Sequence, residues 1–191
     1  MVSELRSRTG AGIMECKKAL TETNGNIDEA IQKLREQGLK ASELKGSRVA
    51  DEGLIVSYIH PGSRVGTLVE LNCETDFVAR TEQFQELAKE IAMQVAAAKP
   101  KYVKSEDVPA EDLETEKSIL KAQAEQEGKP AHIAERIVEG RISKFYSETC
   151  LLQQPYIRDT DQTIEILVKN AIAQLGENIV VKRFVLYVLG Q

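Results

Sequence analysis

Two β-rich runs, residues 54–59 and 65–73, flank the five-residue loop His60-Pro61-Gly62-Ser63-Arg64. Turn-forming residues between two such runs mark a β-hairpin. In the second run Val65, Thr67, Val69, Leu71 and Cys73 share one face, whereas Glu70 and Asn72 share the other. One face must therefore be buried, and a two-stranded hairpin cannot do that alone. The rest of the chain has to supply a third strand and a cover. Residues 179–189, apolar apart from Lys182 and Arg183, read as a closing strand. Thr81 is a good N-cap for a helix on which Phe84, Leu87, Ala88, Ile91, Ala92 and Val95 form one stripe. Thr163 caps another, with Ile164, Leu167, Val168, Ala171 and Leu175 on its stripe and Gly176 as its stop. Pro109 and Pro130 stand where helices begin, ahead of residues 110–127 and 131–147, and Gly128 between them predicts a helical hairpin. The sum is an α+β fold, a small antiparallel sheet packed with helices.

The N-terminal part follows another rule. Residues 2–8, 13–23 and 28–37 read as three short helices, separated by Thr9-Gly10-Ala11-Gly12 and Asn24-Gly25-Asn26. Leu20, Ile27, Ile31 and Leu34 are candidates for their shared core, which at about 40 residues should be thin. From Gly38 to Gly53 apolar density drops and Lys40, Lys45, Arg48, Asp51 and Glu52 dominate, which predicts a connector, helical in part. The expected division is a helical domain at 1–38, a linker at 39–52 and an α+β core domain at 53–191.

Composition excludes several functions. Lys and Arg number 25 against 30 for Asp and Glu, a formal charge of −5, and a mildly acidic chain lacks the electrostatic footprint of nucleic-acid binding. No apolar run is long enough for a membrane helix, and residues 1–5 carry no export signal, so a cytoplasmic or organelle-matrix protein is expected. Cys16, Cys73 and Cys150 are odd in number and widely spaced, which fits reduced thiols. With His60 and His132 the only histidines, a zinc site lacks ligands at plausible spacing, and no metal or cofactor is expected.

Signs of catalysis are weak. Neither Thr9-Gly10-Ala11-Gly12 nor Gly128-Lys129-Pro130 makes a phosphate loop, and Pro61-Gly62-Ser63-Arg64-Val65 is not a nucleophile elbow. Cys73 alternates onto the apolar face, as a small buried hydrophobe does. The stretch that does not look like scaffold is Asn72-Cys73-Glu74-Thr75-Asp76-Phe77-Val78-Ala79-Arg80, between a strand and the helix opened by Thr81. Phe77 lies off the helical stripe. Either it folds back over the end of the sheet, or it is an exposed aromatic on a rigid junction, suited to a partner's pocket. Asp76 has a local turn or capping role open to it as well.

Two long motifs carry a family resemblance. Leu5-Arg6-Ser7-Arg8-Thr9-Gly10-Ala11-Gly12-Ile13-Met14-Glu15-Cys16-Lys17-Lys18-Ala19-Leu20 resembles the N-terminal signature of the elongation factor Ts family. Glu70-Leu71-Asn72-Cys73-Glu74-Thr75-Asp76-Phe77-Val78-Ala79-Arg80 resembles its second signature, and Leu151-Leu152-Gln153-Gln154-Pro155 and Asn178-Ile179-Val180-Val181-Lys182-Arg183-Phe184 are similar to its later segments. The resemblance implies a guanine nucleotide exchange factor for elongation factor Tu, acting in translation elongation without making or breaking bonds. It implies a UBA-like N-terminal domain whose docking face includes Arg6, Ile13, Met14 and Lys17. It also implies that Thr75, Asp76, Phe77 and Val78 form the segment that disturbs the Mg²⁺ site of the GTPase, with Asp76 and Phe77 as the intruding pair.

Long members of the family carry two core subdomains, and residues 53–191 leave room for about one. For short members the resemblance suggests a homodimer through the sheet, which would cover an unpaired edge strand. Two other classes stand beside this reading: an interaction adaptor that drives no exchange, and a thiol enzyme using Cys16 or Cys73.

Overall fold

The computed structural model describes residues 1–126 and 131–191; the turn expected at Gly128 lies outside the described residues, as does the side chain of His132. Three helices open the chain: α1 (Val2–Thr9), α2 (Ile13–Glu22) and α3 (Ile27–Lys45). Gly10 ends α1 at φ 69°, its N–H donating to the Arg6 carbonyl. Asn26 caps α3, its side-chain oxygen accepting from the N–H groups of Asp28 and Glu29 at 3.1 and 3.2 Å. Leu5, Cys16, Ala19, Leu20, Ala30 and Leu34 form the buried core of the bundle, with Ile27 and Ile31 partly buried at its rim.

The third helix does not stop near residue 38. It continues to Lys45, so half of the expected linker at 39–52 is helix. Its second half has a partner in α8 (Ile164–Leu175), against which a Cβ on Gly38 would stand 3.1 Å from that of Ala173. Lys45 donates to the Ile172 carbonyl at 3.5 Å, and Gln174 donates to the Thr9 carbonyl at 3.0 Å. Sequence periodicity missed this because the contact surface is made of small and polar residues.

The sheet is antiparallel in the order β1 (Glu52–Ile59), β2 (Val65–Cys73), β5 (Val180–Val188). The central strand is thus β2, with Val69 opposite Val56 on one side and Phe184 on the other. One face packs on α5 (Glu82–Ala98) and α8 through Val69, Leu71, Phe84, Ile91, Ile164, Val168 and Val181. Thr67, buried on that face, donates its hydroxyl to the Ala92 carbonyl at 3.2 Å. On the other face Ile55, Ile59, Leu68, Val185 and Tyr187 are exposed.

Helices α6 (Ala110–Gln126) and α7 (Ala131–Thr149) lie together, and Arg141 donates to Gln123 at 2.8 Å. A second pair of strands, β3 (Pro155–Tyr156) and β4 (Asp159–Thr163), went unanticipated because β4 has no apolar alternation. Buried Gln94 supplies the order that periodicity lacks. Its amide donates to the Pro155 carbonyl at 3.1 Å and accepts from the Ile157 N–H at 2.9 Å.

Candidate partner-docking site

At the end of β2 the chain makes one short helix, α4 (Asp76–Ala79), before α5 begins. Thr75 is its N-cap, with Oγ1 accepting from the Val78 N–H at 3.4 Å. Thr81 closes the segment from the other side, donating to the Val78 carbonyl at 2.7 Å while accepting from the Phe84 N–H at 3.3 Å. Two capping threonines six residues apart therefore leave α4 little freedom. Val78 packs partly buried against the main core and Ala79 is buried.

Phe77 points the other way. It is 78% exposed, whereas Phe84, one stripe later, is fully buried. Of the two readings open from sequence, the fold-back over the sheet is overturned and the exposed aromatic holds, because Val78 and Ala79 already occupy the inward face of α4. Asp76 is half-buried and pairs with Arg80 one turn on, at 2.8 Å.

The junction is also held from far along the chain. Gly176 ends α8 in the left-handed conformation at φ 82°, and the chain turns back so that the Glu177 carboxylate meets the start of α4. One Glu177 oxygen accepts from the N–H groups of Glu74 and Thr75 at 3.1 and 3.0 Å, and the other from the Thr75 hydroxyl at 2.7 Å. In return the Asn178 N–H donates to the Glu74 carboxylate at 2.6 Å, and the Asn178 amide donates to the Arg48 carbonyl at 2.7 Å. Sequence reasoning missed Glu177, Asn178 and Arg48 as parts of the site, and gave Glu74, within the stretch it singled out, no role of its own. A polar pair just past a helix-ending glycine was the only signal, and it names no partner.

Cys73 lies beneath this junction, fully buried, with its thiol donating to the Thr75 carbonyl at 3.1 Å. Burial, and then the Glu177 charge, push the thiol above its ordinary value. That keeps it protonated, the opposite of what a nucleophile needs. Cys16 and Cys150 are buried as well, and burial also raises Cys150. Among the described residues no group of three or more His, Cys, Asp or Glu could hold a metal ion, and no helix is long and apolar enough to cross a membrane.

The N-terminal candidates are all on the surface. Ile13, Met14 and Lys17 are exposed on α2 beside the buried stripe of Cys16, Ala19 and Leu20, Ile13 and Met14 despite being apolar. Arg6 is exposed on α1. The structure thus brings Thr75 to Val78 together on one turn and Ile13, Met14 and Lys17 on another, as two separate patches.

The exposed aromatic on a turn fixed at both ends and the exposed Ile13 and Met14 on the small bundle are apolar groups of the kind that anchor binding surfaces. The family model described as Elongation factor TS matches residues 3–191, and the chain belongs to that family. It is 60% identical over 190 residues to the elongation factor Ts of Caldanaerobacter subterraneus subsp. tengcongensis, an alignment covering all of this chain and 95% of that protein. It is 57% identical over 191 residues to the elongation factor Ts of Desulforamulus reducens, covering all of this chain and 88% of the relative. Membership supports a nucleotide exchange role in translation elongation.

Proposed function

We propose that this chain is a guanine nucleotide exchange factor that binds elongation factor Tu-GDP and promotes GDP release by disturbing the Mg²⁺ and phosphate site of that GTPase. The observation that carries the reading is Phe77, 78% exposed on a turn fixed at both ends. A large apolar ring held in water by rigid backbone is poised to enter a pocket with little ordering cost. Thr75, Asp76, Phe77 and Val78 form the intruding segment: the ring wedges between helices beside the nucleotide and Asp76 accompanies it. Arg6, Ile13, Met14 and Lys17 dock the N-terminal bundle on the nucleotide domain of the partner.

The energetics are those of linkage. A factor that favours a GTPase conformation with poor Mg²⁺ and phosphate coordination weakens GDP, and GDP must weaken the factor by an equal factor. No residue of this chain need touch the nucleotide, no bond is made or broken, and no cofactor is required. The protein works in the cytoplasm, without binding nucleic acid or membrane. The proposed division is a helical domain at 1–38, a linker at 39–52 and a core domain at 53–191, with α3 running on across the first boundary to Lys45.

Two copies associate through the sheet. Support comes from the apolar face formed by Ile55, Ile59, Leu68, Val185 and Tyr187, a patch that a second copy would bury. Sedimentation equilibrium of the free protein checks this, and a monomer at high concentration refutes it. Release of labelled GDP from elongation factor Tu tests the exchange reading itself. Acceleration by this protein is the expected result, whereas binding without acceleration would leave an adaptor.

A further inference from the structure

We infer that Glu177 is a positioning residue for exchange, a clamp that sets the angle at which Phe77 is presented; the inference rests on the reading proposed above. The argument is geometric. α4 is only four residues long, too short to hold its own orientation by intrahelical bonds. Its N-terminal approach carries two backbone donors, Glu74 N–H and Thr75 N–H, that have no partner within the turn, and both end on one Glu177 oxygen at 3.1 and 3.0 Å. The Thr75 hydroxyl ends on the other at 2.7 Å. That last bond also fixes the Thr75 side chain in the rotamer whose oxygen caps Val78. Charge-assisted bonds from three donors to one half-buried carboxylate are stiff compared with water contacts.

The clamp comes from the start of the connection between α8 and β5, more than 100 residues away in sequence. It therefore ties the presenting turn to the element on which the N-terminal bundle rests, through the Gln174 and Lys45 contacts of α8. The two docking patches are held in one frame, so that a wedge and a dock separated in sequence meet the same partner at a fixed spacing.

A glutamine can keep this geometry. Its single amide oxygen would accept from both backbone N–H groups while its NH₂ donates to Thr75 Oγ1, so Glu177→Gln is the conservative control and Glu177→Ala removes the clamp. The experiment measures stimulated GDP release from elongation factor Tu together with amide hydrogen exchange of the full chain. Glu177→Ala should slow stimulated release about tenfold, the order expected when such bonds holding a binding element are lost. The amides of Glu74, Thr75 and Val78 should exchange faster in that variant while β2 stays protected, and Glu177→Gln should restore most of the rate. In a Phe77→Ala background, adding Glu177→Ala should change the rate less than about twofold, since a residue acting only through the wedge cannot be felt without it. Glu177→Ala at full activity, slowing that multiplies in full with Phe77→Ala, or loss of β2 protection without rescue by glutamine would each overturn the clamp. A fully active Phe77→Ala single variant would instead bring down the exchange mechanism, and this inference with it.

Discussion

The three-helix bundle and the sheet-centred unit spend their apolar residues differently. The bundle buries Leu5, Cys16, Ala19, Leu20, Ala30 and Leu34 and leaves Ile13 and Met14 in water, a large share of the little it has. The sheet unit buries Phe84, Ile91, Leu71, Ile164 and thirteen others and exposes Phe77 at its edge. What differs is the reserve. The larger core can hold an exposed apolar ring without losing its fold, whereas the bundle leans on α8, through Gly38 and Gln174, to remain in place.

The sharpest way to break this comparison is to damage each core. Phe84→Ala should destabilise the sheet unit by about 3–5 kcal/mol and bring the whole chain down with it. Leu5→Ala should cost about 2–4 kcal/mol but act locally, with amide protection lost in α1, α2 and the first half of α3 and retained in β2. Collapse of β2 protection in Leu5→Ala would show that the two regions form one cooperative unit.

Phe77→Ala should reverse the pattern. It removes a ring with little to lose in packing, so its melting curve should shift by less than about 0.5 kcal/mol. Stimulated GDP release should fall by the equivalent of about 2 kcal/mol or more. A large loss of stability would place Phe77 in the core after all.

Removing residues 1–38 should leave a folded sheet unit that still binds elongation factor Tu weakly and exchanges GDP roughly tenfold more slowly, about 1.4 kcal/mol. The cut falls within α3 and uncovers Ala173 on α8, so solubility is a sensitive readout. An insoluble or unfolded product refutes the division at that point.

Alkaline pH should weaken the sheet unit by a smaller amount. Burial and the hydrogen bond to Glu90 push Tyr156 up from 10.0 to about 12. The unfolded chain then loses this proton first, so stability present below pH 10 falls as the pH rises toward about 12. Tyr156→Phe should flatten that part of the melting profile. The smallest effect belongs to the thiols: replacing Cys16, Cys73 and Cys150 together with Ala or Ser should leave the exchange rate within about threefold once packing losses at the buried sites are allowed for. Loss of activity in a folded triple variant would revive thiol chemistry.

Much of this architecture was legible because it is written in local chemistry. Thr81, Thr163 and Gly176 bound their helices where capping rules put them, and alternation over residues 65–73 identified the buried face of β2. Two features escaped. The β3 and β4 pair depends on a buried glutamine from α5, and the second half of α3 depends on a small-residue contact with α8; neither leaves a periodic trace. Phe77 was singled out by position, but its exposure turned on whether Val78 or Phe77 would take the inward face of a four-residue helix, which spacing over so few residues cannot decide.

By itself, then, the sequence determined the hairpin, the closing strand, the capped helices, their order and the family, since caps, alternation and long contiguous motifs are properties of neighbouring residues. Tertiary structure decided which face of α4 meets water, that Glu177 returns from the far side of the chain to hold it, and that the bundle rests on α8. Those are contacts between residues far apart in the chain, and their free energies exist only once the core has brought the partners within hydrogen-bond reach.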